Sequence, residues 1–331
     1  MSEENFDFIA IGDIVDDAFI RLKNASVHCD LDKSNCKICM NFGDKIPYEF
    51  VKVVPAVGNS PNASVSASRL GLKSALFTNI GDDQNGKEAV ESLKKDRVDT
   101  SFVKVHPGRQ TNYHYVLWYG DERTILIKHE EYDYVLPDLG NPKWLYLSSL
   151  AENSIPLHHD IANWLRENPD TKMAFQPGTF QIALGYEKLK DIYELSEIFF
   201  CNLEESQRIL KTEEKDIKKL LSSMKDLGPK IVVITDGKAG AYTFDGQEVW
   251  HMPIYPDPAP PLDRTGAGDS FSSTFTSALA LGKTIPEALS WGPINSMNVV
   301  QHIGAQEGLL TREQLEKFLA EAPENYKPKK I

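Results

Sequence analysis

Seven residues, Asp263-Arg264-Thr265-Gly266-Ala267-Gly268-Asp269, carry the densest chemical signal in this chain, and Ser270-Phe271 then open a run rich in small residues. Glycine at 266 and 268 permits a tight turn and lets backbone approach a ligand with no Cβ in the way. A helix following the turn leaves its first N–H groups unpaired and aimed into it. Such a turn binds anions and suits phosphate. Asp269 plants a carboxylate in the same place. Asp also has a purely structural use at a helix start, but a base beside an anion cradle is what phosphoryl transfer to a hydroxyl requires. Asp269 is the expected base, and Gly266, Ala267 and Gly268 the expected cradle.

A second group of acids, Asp13, Asp16 and Asp17, follows the apolar stretch 6–12. Carboxylates at the C-terminal edge of a parallel strand sit where α/β proteins bind ligands. Each can take two hydroxyl hydrogen bonds, which suits a polyol. One of the three is expected to bind the acceptor, and the other two to be structural or solvated. Gly81 to Glu88 has the G-x4-G-K spacing of a P-loop, but Glu88 stands where a magnesium-binding Ser or Thr is needed, so that reading is rejected. Cys36-x2-Cys39 has metal-knuckle spacing, with Cys29, His28, Asp30 and Asp32 nearby. Cys29, Cys36 and Cys39 are therefore candidate ligands for structural Zn²⁺, one short of the usual four. The competing reading is plain surface thiols.

These residues need a scaffold. At 331 residues the chain can bury a large core. Buried-strand patterns at 6–12, 74–79, 144–147, 173–175, 198–200 and 231–235 alternate with helical patterns, and the last third turns helical. That alternation predicts an α/β protein with a parallel sheet covered on both faces. Segments 18–55 and 103–128 break the rhythm and look like β-hairpins, which together could build one small sheet. A net charge of −12 argues against nucleic acid, and no apolar run reaches the length of a membrane span. The acidic N-terminus does not look like a signal peptide, so a cytoplasmic location is expected.

With Asp263 to Asp269 matching D-T-x-G-A-G-D except at Arg264, the chain resembles the ribokinase-like (PfkB) family of carbohydrate and nucleoside kinases. Val57-Gly58-Asn59-Ser60-Pro61-Asn62 is similar to the family's G-G-x-x-x-N, with Val57 for the first glycine and Asn59 where many sugar-specific members carry Lys. The resemblance implies a three-layer αβα fold with a mainly parallel central sheet and a small β-sheet lid. It divides the chain into a main unit (1–17, 56–102 and 129–331) and a lid (18–55 and 103–128). It also implies ATP-dependent phosphorylation of a hydroxymethyl group on a small sugar. The alternatives are a nucleoside kinase and a silent sugar or nucleotide sensor. Asp17, Gly58, Asn62 and the lid residue Asn112 would bind the acceptor. His114, Arg109, Thr111 and Lys128 are further lid candidates. Asn202 and Glu205, matching N-x-x-E, would lie near the triphosphate and Mg²⁺. Thr235, Gly237 and Gly240 match T-x-G-x-x-G beside the nucleotide, and Asn298 falls in the adenine-side loop. Asp263 is the candidate for a monovalent cation, K⁺, and the lid is the candidate surface for a homodimer.

Overall fold

A computed structural model describes residues 5–30, 36–120 and 122–331. Asp32 lies outside them, as do the first four residues and Asp121 of the expected lid turn. The chain forms a ten-stranded sheet whose parallel portion runs β7 (Val103–His106), β6 (Ser74–Gly81), β1 (Phe8–Ile11), β10 (Trp144–Leu147), β11 (Lys172–Phe175), β12 (Ile198–Asn202) and β13 (Ile231–Thr235). The antiparallel strands β14 (Ala241–Phe244), β15 (Val249–Met252) and β16 (Lys329–Lys330) complete one edge. Strands such as Phe-Ile-Ala-Ile and Trp-Leu-Tyr-Leu are apolar throughout because both sheet faces are covered.

Side-chain alternation splits each strand between two cores. Phe8 and Ala10 pack with helices Asn59–Arg69, Ala267–Ala280 and Ile285–Val299, while Ile9 and Ile11 pack with Ile155–Glu167, Tyr186–Leu195 and Ile217–Lys225. The expected three layers are present. Strand order reverses at β1, which has β6 on one side and β10 on the other. The crevice at the carboxyl ends of β1 and β10 is therefore the place for a ligand. Among the described residues, no helix is long and apolar enough to cross a membrane.

A separate four-stranded sheet runs β5 (Tyr48–Val57), β2 (Val15–Leu22), β8 (Asn112–Tyr119) and β9 (Glu122–Leu126). It differs from the expected lid at its margins. β2 starts at Val15 and β5 reaches Val57, whereas Val103–His106 pairs in parallel with β6 and belongs to the main sheet. The hairpin of β3 (Ser26–Cys29) and β4 (Cys36–Cys39) overturns the zinc expectation. Its register sets Cys29 opposite Cys36, and the two form a disulfide. Cys39 pairs with Ser26 at the other end. In an extended strand, residues three apart point to opposite faces, so Cys36 and Cys39 cannot act as a knuckle. Among the described residues, no cluster of three metal-ligating side chains exists.

Candidate active site

Asp269 opens the helix Ala267–Ala280, and three side-chain amides hold its carboxylate. Oδ1 accepts from Asn59 at 2.9 Å and Gln176 at 3.0 Å, and Oδ2 accepts from Asn62 at 2.8 Å. The asparagines come from the first turn of Asn59–Arg69, and Gln176 directly follows β11. Burial pushes the Asp269 carboxyl above the usual carboxylate range, against the pull of the three amides, and the charge of Asp17 adds to the rise. The result is an oriented carboxylate with more appetite for a proton than an exposed one, which suits a general base.

The two glycines of the turn have different jobs. Gly266 has φ +78°, and a Cβ there would lie 2.3 Å from the Cβ of Ala305. A Cβ on Gly268 would meet only Gln176, at 3.9 Å. Gly266 is demanded by the fold; Gly268 leaves open space above the helix start. The helical ladder begins with Ser270 N donating to Gly266 O at 2.8 Å, so the amides of Gly268 and Asp269 precede it.

Two cavities meet at this turn. One is lined by Asp17, Gly58, Asn62, Glu205 and Asp269. The other is lined by Thr235, Gly237, Gly240, Ala267 and Gly268, with Tyr255, Met297 and Val300 giving it an apolar wall. Glu205 and Asn202 form a reciprocal helix cap: Glu205 N donates to Asn202 Oδ1 at 2.8 Å, and Asn202 N donates to Glu205 Oε2 at 2.9 Å. Burial raises the Glu205 carboxyl, as does the nearby charge of Asp269. Two carboxylates sharing a partly desolvated place are a donor set suited to a hydrated divalent cation.

Some expected residues stand elsewhere. Asn112 donates to Ile14 O at 3.0 Å and accepts from Glu130 N at 2.7 Å, so its amide ties the lid's root and does not line the cavity of Asp17 and Asp269. Asn298 donates to Gly308 O at 2.7 Å, and its neighbour Met297 faces the second cavity instead. Asn62, besides holding Asp269, accepts from Gln306 at 3.0 Å, so it positions the Asp269 carboxylate. Asp263 is buried, and its ion pair with Arg123 of β9 does not suit a K⁺ site. Asp13 and Asp16 are buried as well, not solvated.

The lid adds an arrangement that sequence reasoning missed. His129 Nδ1 lies 3.0 Å from Asp13, its Nε2 lies 3.3 Å from His114 Nε2, and His114 Nδ1 lies 3.4 Å from Asp17 Oδ1. Tyr134 donates to the other Asp13 oxygen at 2.7 Å. Two imidazoles thus stand in a row between two carboxylates, and both line the cavity that holds Asp17 and Asp269. Asp17 Oδ1 is buried and makes no hydrogen bond among the described residues, so His114 stands beside it without hydrogen-bonding to it. His129 gave no sequence signal, because only folding brings it to His114. Gln176 could have been found from its place at the end of a parallel strand.

A profile of pfkB family carbohydrate kinases matches residues 52–312. The chain belongs to this family. Kinase chemistry with an alcohol acceptor comes with that membership. Among curated relatives of this pfkB-family chain, an ATP-dependent 6-phosphofructokinase of Thermoanaerobacterium thermosaccharolyticum is 25% identical over 286 residues, covering 81% of this chain and 85% of that protein. Ribokinase of Bacillus subtilis is 27% identical over 270 residues, covering 80% and 87%. Arabidopsis thaliana ribokinase, solved with ribose and ATP, superposes with a TM-score of 0.80 at 18% identity, covering 95% of this chain and 99% of that one. The structural likeness shows the ribokinase fold.

Proposed function

We propose that this pfkB-family kinase transfers the γ-phosphoryl group of ATP to a hydroxymethyl group of a small sugar. The observation that carries the reading is Asp269, gripped by three amides where the two cavities meet, beside a glycine with open space above it. The acceptor would occupy the cavity of Asp17 and Asp269, under Ile125 and Ile127 of the lid side. Asp17 would accept its ring hydroxyls, and Asp269 would take the proton of the attacking one. The nucleotide would lie in the other cavity, its γ-phosphate over the amides of Gly268 and Asp269, where charge developing in transfer is stabilised. Glu205, with Asn202 behind it, would hold Mg²⁺ through water. When bound, the ion supplies charge neutralisation for the phosphates. Closure of the lid would exclude water from the phosphoryl group. We further assign homodimer contact to the exposed apolar side chains Val51, Val53, Tyr115 and Leu126 of the lid.

An ADP-release assay across pentoses, hexoses, sugar phosphates, sugar acids and nucleosides tests the reading. Acceptor-dependent release with at least one sugar is expected. Turnover confined to nucleosides would overturn the sugar assignment, and binding without turnover would favour a sensor.

A further inference from the structure

The turn that carries Gly266 to Asp269 is stapled by one buried carboxylate. Asp263 Oδ1 accepts from Thr265 N at 2.6 Å, and Oδ2 accepts from Gly304 N at 2.9 Å. Next to Gly304, Ala305 packs under Gly266. Asp263 therefore binds together the two loops that shape the phosphate turn. The guanidinium of Arg123 meets this carboxylate, with side-chain exposures of 10% for Arg123 and 1% for Asp263. A metal cation beside Asp263 would have to share a poorly solvated space with that guanidinium, where like charges repel strongly.

We infer that Arg123 is the resident cation of Asp263, delivered by the lid, and that it replaces a dissolved monovalent ion in shaping the phosphate turn. The strand pattern explains the delivery. Arg123, Ile125 and Ile127 are spaced two apart, so they share one face in an extended chain. The two isoleucines line the acceptor cavity. The same seating that brings them over an acceptor brings Arg123 onto Asp263. Without that charge, Asp263 would be a buried, uncompensated anion, a strongly destabilising state. Arginine suits the task because it stays charged when buried, whereas lysine readily loses its proton. Arg123 Nε has no hydrogen-bond partner among the described residues, so charge rather than a hydrogen-bond network holds the guanidinium. Arg123 is thus a positioning residue: it touches neither cavity's reacting atoms and acts through Asp263.

The test compares wild type, Arg123→Ala and Arg123→Lys in potassium, sodium and tetramethylammonium chlorides at equal ionic strength. Melting temperature and phosphoryl transfer are both read. Wild type should melt and turn over alike in all three salts. Arg123→Ala should lose about tenfold or more in kcat/KM, the scale of a small misplacement of reacting groups. It should recover part of that loss, and gain melting temperature, when potassium or guanidinium is supplied. Arg123→Lys should keep the indifference to salt with a smaller loss. Potassium-specific stabilisation or activation of wild type would overturn the inference, as would wild-type kinetics in Arg123→Ala. The melting measurement needs no acceptor, so its outcome stands apart from any failure of the sugar assignment.

Discussion

The two walls of the acceptor cavity are built on different principles. The floor joins a backbone device, a glycine turn and a helix start, to one carboxylate clamped by side-chain amides from two other elements. The lid wall is side chains alone, with His114 and His129 standing between Asp17 and Asp13, and beside that wall Arg123 reaches Asp263. A backbone device needs particular residue types at fixed spacing, because the turn has one workable geometry. A side-chain device needs only that suitable groups arrive at one place. The floor can therefore serve many acceptors unchanged, while the lid wall is free to choose among them.

The largest expected effect breaks the floor. Asp269→Asn keeps the shape and removes the base, so kcat should fall by at least about a hundredfold, the low end for general-base catalysis. Nucleotide affinity, read by calorimetry, should hardly move. Because the carboxyl is raised and must be ionised to act, wild-type activity should be lost as pH falls, at a higher pH than for an ordinary aspartate. An acid limb of kcat/KM at or below about pH 4, the unperturbed range, would contradict that role.

Next comes the open glycine. Gly268→Val should fold normally, since a Cβ there meets only Gln176, yet displace the γ-phosphate. Activity should drop by up to about a hundredfold, the cost of an ångström-scale misplacement. Gly266→Ala should do the reverse and lower the melting temperature first, because of its positive φ and its contact with Ala305. Equal melting losses in both variants would erase the distinction between the glycines.

On the lid wall, His129→Gln removes the bridge from Asp13 toward His114 and leaves Asp17 less firmly oriented. KM for the acceptor should rise by about tenfold, the worth of roughly one charge-assisted hydrogen bond. KM for ATP and kcat should stay near wild type. A loss confined to kcat would move the histidines from recognition to chemistry.

The smallest effect lies at the lid's root. Burial raises the Asp16 carboxyl to about 6 from an ordinary 3.8, although it accepts a hydrogen bond from Ala56 N. Between those pH values the folded protein holds a proton that the unfolded chain releases, so stability falls as pH rises through the window. Asp16→Asn should flatten this slope and gain a few degrees over wild type at pH 7, with equal melting near pH 4. Parallel melting curves for the two proteins across that range would show that Asp16 is not the group responsible.

The residue pattern by itself determined the layered α/β scaffold, since runs such as Ile231 to Ile234 are apolar on both faces and have no other stable home. It also determined the glycine turn at 266–268, where Gly266 takes a positive φ and a Cβ on Gly268 would meet only Gln176. Cysteine spacing misled, because a knuckle and a strand share the same letters, and only the register of β3 against β4 set Cys29 opposite Cys36. Asn112 and Asn298 misled in the same way: each has the right chemistry, but their amides are spent on backbone carbonyls. The partners of Asp13, Asp17 and Asp263 lie more than ninety residues away in sequence, and the tertiary structure alone decided that they would be His129, His114 and Arg123. Local spacing encodes what the backbone must do within one turn, whereas contacts between distant side chains depend on how whole sheets are placed against each other.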